Sequence, residues 1–377
     1  MTRAVFWASA AVVVYVYFGY PLLLLAWSRL RPRPVHAHPD EPPVSVIIAV
    51  RDEAEALERK IANLRSLDYP AAHLQIIVVS DGHNQQTAAV LRRNGGVIDA
   101  LYVPRGGKAQ ALNAGVEAAR HDILVFADVR QRFDRQALRG LVAPLADPTV
   151  GGVSGELMLD VEVGGGRRRT SDNRPPPAHS TDIGEGMGGY WRYEKWLRRQ
   201  ESAIGSTMGA TGAIYALRRA LWKPLPADTI LDDVLAPMRA VLAASRVVFS
   251  SEALAFDPVA PSGVELRRKI RTLAGNYQIL RLEPRLLNPF RNPVWIQYMS
   301  HKVGRLLVPY ALIALLVTSG VLAASSPFYL LAFAAQILFY GLAGYGAWLS
   351  RRDRREAEDA TRDEPAVNAL IKGTTTS

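Results

Sequence analysis

The sequence predicts an α/β fold, a doubly wound sheet with helices on both faces, joined to three membrane-crossing helices. Three observations carry this. Short apolar runs without alternation, at 44–50, 76–79 and 123–128, read as strands buried on both faces. Helical patterns lie between them, which is the signature of a doubly wound sheet. Uncharged stretches at 4–28 and 306–350 are long enough for a bilayer, where about 20 apolar residues suffice for one span.

Composition narrows the function classes. The 377 residues contain no cysteine, which excludes disulfides and thiolate metal sites. A formal net charge of +10 suits an anionic lipid surface or a phosphorylated substrate. Nucleic acid is not expected, since no zinc spacing occurs and the arginines mostly flank apolar runs.

The first apolar stretch contains Ala8-Ser9-Ala10, which resembles a signal-peptidase site. The run continues far beyond it and ends in Arg29, Arg31 and Arg33, as a retained anchor does. The second stretch is too long for one span and is broken at Ser325-Ser326-Pro327, so it reads as a hairpin near 306–324 and 327–349. Arginines at 29–33, Lys302 with Arg305, and Arg351, Arg352, Arg354 and Arg355 share one side if residues 30–305 are cytoplasmic. Only Arg3 and the amino terminus dissent. The expected location is the inner membrane, multi-pass, with the catalytic domain cytoplasmic.

A Pro-rich linker, 30–43, leads to the strand 44–50. Asp52, Glu53 and Glu55 favour a helix N-terminus, with Leu57, Ile61 and Leu64 on its inner face. The strand 76–79 closes at Ser80-Asp81-Gly82, and 101–103 is a short third strand. Gly106-Gly107-Lys108 opens a helix carrying Leu112 and Val116. The strand 123–128 ends at Asp128, while Asp134 suits the N-cap of the next helix. Ligands in such sheets sit off the carboxyl ends of strands, where Asp81, Asp128 and Glu53 collect. Gly106-Gly107-Lys108 offers N–H groups and a cation for phosphate, a weak signal alone. No Walker motif and no Gly-x-Gly-x-x-Gly is present.

These residues together resemble a known family. Val44 to Val50 with Asp52-Glu53, Val78 to Gly82, Lys108-Ala-Gln-Ala-Leu-Asn113-Ala-Gly and Phe126-Ala-Asp128 look like the nucleotide half of inverting family 2 glycosyltransferases, relatives of cellulose and hyaluronan synthases. The resemblance spans about residues 44–300. It implies a GT-A fold with a mixed sheet, a nucleotide-sugar donor of the UDP type, and Mg²⁺ or Mn²⁺ as cofactor. Glu53, Asp81, Lys108, Asp128 and Arg271 are the implied donor-binding residues, with Asp128 also the metal ligand. The family has Asp-x-Asp where this chain has Asp128-Val129-Arg130, and a guanidinium cannot ligate a cation. Either Asp128 holds the metal with donor phosphates and water, or Arg130 partly replaces it.

Residues 161–185 read as a flexible loop. The helix from Tyr190 to Ile204 mixes aromatics with Arg and Lys, which fits either a core helix or one lying at the membrane interface. Gly209 and Gly212 sit in a small-residue segment that borders the acceptor in similar proteins; a tight turn before a strand is the other reading. In Ile230-Leu-Asp232-Asp233-Val234, Asp233 matches the family's general base and Asp232 its acidic neighbour, while Asp232 also suits a helix cap. The strands 246–249 and 253–256 follow. The amphipathic segment 265–281 then keeps Arg271 of the family's Gln-x-x-Arg-Trp, with Arg268 for Gln and Thr272 for Trp. Losing the Trp platform counts against processive synthesis. Trp295, Tyr298, His301 and Lys302 read as an interfacial belt.

The expected organisation is therefore an N-terminal membrane helix (1–29), linker (30–43), donor half (44–160), loop (161–185), acceptor and catalytic half (186–262), amphipathic and interfacial helices (263–304), membrane hairpin (305–350) and disordered tail (351–377). The expected activity is inverting sugar transfer to a lipid-linked or glycan acceptor at the membrane, with a homo-oligomer or membrane partner as a further option. A polysaccharide synthase subunit and a non-catalytic nucleotide-sugar-binding scaffold are the alternatives.

Overall fold

A computed structural model describes the backbone of residues 1–160, 182–258 and 262–373, with side chains over 1–158, 191–257 and 267–349 and at Arg352. The predicted loop falls largely outside the described residues.

Strands form where Val and Ile crowd together. β1 (Val44–Val50), β2 (Leu74–Asp81), β3 (Asp99–Val103) and β4 (Ile123–Ala127) pair in parallel. β5 (Arg132–Phe133), β6 (Val150–Asp160), β7 (Ile214–Arg218) and β8 (Arg246–Pro258) complete one eight-stranded mixed sheet, ordered β3-β2-β1-β4-β7-β6-β8-β5. β7 runs antiparallel to both β4 and β6, which joins the strands before residue 160 to those after 186 in a single sheet. The strand order reverses between β1 and β4, so the crevice off their carboxyl ends is the expected ligand site.

The helices are α1 (Thr2–Val14), α2 (Tyr20–Leu30), α3 (Ala54–Arg65), α4 (Gln85–Arg93), α5 (Lys108–Ala118) and α6 (Ala137–Val142). They continue with α7 (Asp182–Ile204), α8 (Asp232–Leu242), α9 (Ser262–Leu282), the single turn α10 (Trp295–Gln297), α11 (Gly304–Leu322) and α12 (Pro327–Gly373). Alternate residues of β1 feed two cores. Val46 and Ile48 face Leu57 and Ile61 of α3 and Leu141 of α6, whereas Ile47 faces Leu112 of α5 and the α8 side. Each fully buried Ile or Leu contributes about 1.5–3 kcal/mol.

Among the described residues, three helical stretches are long and apolar enough to cross a membrane: Thr2–Leu30, Trp295–Ser325 and Pro327–Leu349. The chain divides into two compact units, residues 16–306 and residues 1–15 with 307–377. In the smaller unit Trp7 stacks on Phe328 at 5.6 Å and Gln336 Nε2 donates to Ser319 Oγ at 3.1 Å, while Val317, Leu331 and Leu338 remain exposed, as lipid-facing side chains are.

Several local expectations change. Asp134 does not cap α6; Gln136 stands at the cap and its N–H donates to Asp134 Oδ1 at 3.1 Å, an Asx turn leading into the helix. The two strands expected at 246–256 are one continuous β8, and β5 is too short to leave a sequence pattern. The aromatic helix α7 uses its apolar side on α2, where Leu197 and Ile204 bury with Tyr20 and Leu24, which favours the core reading. Tyr298 and His301 are buried rather than exposed as a belt. Helix α12 extends from Pro327 to Gly373.

Candidate active site

The carboxyl ends of β1, β2 and β4 deliver Glu53, Asp81 and Asp128 to one edge of the sheet. Lys108 is the first residue of α5, and its Nζ lies 2.8 Å from Asp128 Oδ1 and 3.3 Å from Asp232 Oδ1. One ammonium thus ties the β4 end of the sheet to the start of α8. Burial opposes its charge, but Asp128 and Asp232 more than offset this and raise its pKa above the ordinary lysine value.

Asp232 and Asp233 open α8, and neither is its N-cap, which is Leu231 without a side-chain bond. The cap reading of Asp232 therefore fails. Its buried carboxylate pairs with Lys108 through Oδ1 and leaves Oδ2 without a hydrogen-bond partner. Burial, then the charge of Asp232, push the Asp233 pKa up to about 6, despite opposing pulls from Lys108 and Lys302. Such a group is a competent proton acceptor near neutral pH.

Gly209 and Gly212 shape the pocket of this aspartate. Gly209 has φ +120°, a region that favours glycine, and a Cβ there would lie 3.3 Å from the Asp233 carbonyl oxygen. A Cβ on Gly212 would stand 3.0 Å from Asp233 Oδ2. The Ala210 N–H donates to the Asp233 carbonyl at 2.7 Å, locking the segment against α8.

A cavity of about 380 Å³ is lined by Lys108, Asp128, Gly212, Asp232, Asp233 and Arg271, among others. A second, of about 340 Å³, shares Lys108, Asp128, Arg130 and Arg271 with it and adds Glu53 and Asp81. Both expected catalytic residues and every expected donor residue therefore lie along one continuous groove. Arg130 sits 3.9 Å from Glu53 Oε1, whose other oxygen, Oε2, is buried without a partner.

One expectation is reversed. The N–H groups of Gly106 and Gly107 donate to Asp81 Oδ1 at 2.7 and 3.0 Å, so they are not free to hold a phosphate. Asp81 also pairs with Arg51. Burial raises its pKa, but these N–H groups and the guanidinium prevail and hold it below the usual range. Asp81 thus clamps the loop that presents Lys108.

The metal question can be tested on the donor set. Among the described residues no cluster of three His, Cys, Asp or Glu side chains is placed to hold a metal. Asp128 uses Oδ1 for Lys108 and lines both cavities. That single carboxylate fits Mg²⁺ or Mn²⁺ bound mainly through substrate phosphates.

Sequence reasoning missed Gln131, Asp257, Lys60 and Tyr215. Gln131 Nε2 donates to Asp257 Oδ1 at 2.9 Å, and Arg268 pairs with Asp257 at 3.4 Å, which ties α9 to the sheet edge. Lys60, buried in α3, donates to the Gln131 carbonyl at 2.8 Å and stands 3.4 Å over the Phe133 ring. Its helical spacing with Leu57 and Leu64 is the one signal that marked it as inward-facing. Tyr215 stacks on Phe126 at 4.6 Å and carries a buried hydroxyl without a partner beneath the aspartates.

Residues 45–223 match the glycosyl transferase family 2 profile. The chain is 29% identical over 116 residues to a beta-monoglucosyldiacylglycerol synthase of Synechocystis, covering 29% of this chain and 24% of that one. It is 26% identical over 265 residues to the glycosyltransferase AglE of Haloferax volcanii, covering 68% of this chain and 80% of the relative. It thus spans about a quarter of the first relative and most of the second. The mannosyltransferase PcManGT from Pyrobaculum calidifontis, solved with GDP-Man and Mn²⁺, superposes with a TM-score of 0.67 at 24% identity, covering 92% of this chain and 94% of that one. That likeness is one of fold.

Proposed function

We propose that the chain is a membrane-anchored inverting glycosyltransferase acting at the cytoplasmic face, a reading that starts from the match of residues 45–223 to glycosyl transferase family 2. Its donor is a nucleotide-sugar, a UDP-sugar by resemblance, and its acceptor is a lipid-linked sugar or a glycan at the bilayer. The observation that carries this reading is the shared groove: Asp233 and the Lys108–Asp128 pair line the same cavity.

In that arrangement Asp233 takes the proton from the acceptor hydroxyl as its oxygen attacks the sugar carbon. The bond to the nucleotide diphosphate breaks on the opposite face, and no covalent enzyme intermediate is needed. Lys108 and Arg271 stabilise the departing charge, with Arg130 beside them. Asp128 would hold Mg²⁺ or Mn²⁺, which would supply further neutralisation of the diphosphate. Asp232 keeps Lys108 directed into the groove. The test is nucleotide release by the full chain from a panel of nucleotide-sugars, with and without membrane lipid extract. Lipid-stimulated release from one donor is expected; no release from any donor would overturn the reading.

A further inference from the structure

A separate cavity of about 300 Å³ opens beside the catalytic groove, and Thr272 lines both. One wall is α7, whose Glu194, Arg198 and Glu201 share a face at spacings of four and three. The opposite wall is the π-helical turn Tyr298–Val303 and its continuation, which contribute His301, Lys302 and Arg305. Such turns recur at functional sites because they redirect side chains out of helical register.

The charges do not balance. Glu201 Oε1 accepts from Tyr20 at 2.7 Å and lies 2.6 Å from His301 Nδ1. Glu194 lies 3.6 Å from His301 Nε2 and 2.5 Å from Arg305. Each carboxylate thus spends an oxygen on these partners, while Glu201 Oε2 is buried without a hydrogen-bond partner and both charges also act on Lys302. Arg198 and Lys302 line the same cavity and form no direct ion pair among the described residues, although Asp233, Glu201 and Glu194 lie near enough to act on Lys302. Two half-buried cations facing one cavity repel each other unless an anion lies between them. The charge of Lys302 also reaches Asp233, so an anion there would sit close to the proton acceptor. Leu273 and Leu306 supply an apolar rim, and Ile270, Leu273 and Tyr277 form an exposed apolar row on α9. The second membrane-crossing stretch begins at Trp295, before this turn. Cations placed only for topology would serve equally well at an exposed rim.

We propose that Arg198 and Lys302 form an anion subsite beside Asp233 that takes the phosphoryl group of a membrane lipid acceptor. The subsite holds the headgroup while the lipid chain leaves over Leu273 and Leu306. The proposal rests on the transferase reading for the word acceptor, but binding itself can be measured without turnover.

The experiment uses the full chain in phosphatidylcholine nanodiscs and calorimetric titration with farnesyl phosphate, farnesol, inorganic phosphate and UDP. Farnesyl phosphate should bind more tightly than farnesol or inorganic phosphate. Lys302→Met and Arg198→Gln should each weaken it about 10- to 100-fold, as loss of a charge-assisted hydrogen bond does. Lys302→Arg should restore most of the affinity, and UDP binding should stay constant as the check on folding. Unchanged farnesyl phosphate affinity in both charge-removing variants would overturn the subsite, as would equal binding of farnesol. Equal binding of inorganic phosphate would overturn its assignment to a lipid. Lys302-dependent binding in a protein that turns over no donor would retain the subsite and reject the transferase reading.

Discussion

Asp233→Asn should lower turnover and raise stability together. The substitution keeps the shape of the side chain and removes the proton acceptor. General-base removal lowers kcat by about 10²–10⁴-fold, with donor affinity nearly unchanged. The stability effect follows from burial. The folded-state pKa is about 6 against an ordinary value of 3.8. Below pH 4 both folded and unfolded chains hold the proton, and Asp233 costs nothing by ionisation. Between about 4 and 6 the folded chain binds more protons, so stability falls as pH rises. Above 6 the full penalty remains, at most about 3 kcal/mol from about two units at 1.36 kcal/mol each. The Asn variant lacks it. Its Tm should match wild type near pH 4 and exceed it by a few degrees at pH 7.5. Asp232→Asn gives the contrast: removing that neighbouring charge should shift the kcat–pH profile to lower pH, and donor KM should rise because Lys108 loses a partner. Thermal melts of the donor-free protein from pH 4 to 8, beside transfer assays, measure all of this. A Tm difference independent of pH, or near-normal turnover by Asp233→Asn, would refute the reasoning.

Other outcomes follow from the same geometry. With Arg130 where a second carboxylate is usual, divalent-metal affinity should be weak; Arg130→Asp should tighten it in metal titrations, and Asp128→Asn should impair donor turnover. Gly212→Ala places a methyl 3.0 Å from Asp233 Oδ2 and should lower kcat without changing nucleotide binding by calorimetry. Lys60→Met leaves the Gln131 carbonyl without its donor and should cost about 1–3 kcal/mol in denaturant melts. Reporter fusions at residue 171 and at the C-terminus should both report cytoplasm; a periplasmic signal at 171 would reverse the orientation argued from the arginine clusters.

The elements of the donor half were legible because their signals are local. Val44–Val50 and the run before Asp128 have no alternation, and only a strand covered on both faces tolerates that. Asp81, Lys108 and Asp128 stand directly after such strands or at a helix start, so chain position alone brought them to one edge. The membrane stretches were equally plain, since bilayer thickness demands length and apolarity and little else.

What the sequence could not supply was partnership. Gly106 and Gly107 look like a phosphate cradle until the fold turns their N–H groups onto Asp81, which is 25 residues distant in the chain. Asp232 looks like a helix cap until Lys108, from another helix, reaches it. Lys302 reads as membrane-interface charge, and Arg198 as a charge on a helix that suits either the core or the interface, until α7 and the turn at Tyr298–Val303 close a cavity around them. Local pattern determined the strands of residues 44–127 and the spans, because those depend on neighbours within a few positions, while family resemblance marked Asp233 and Arg271. Tertiary packing decided what each charged group faces, because hydrogen bonds and ion pairs act over a few ångströms between residues that the chain keeps far apart.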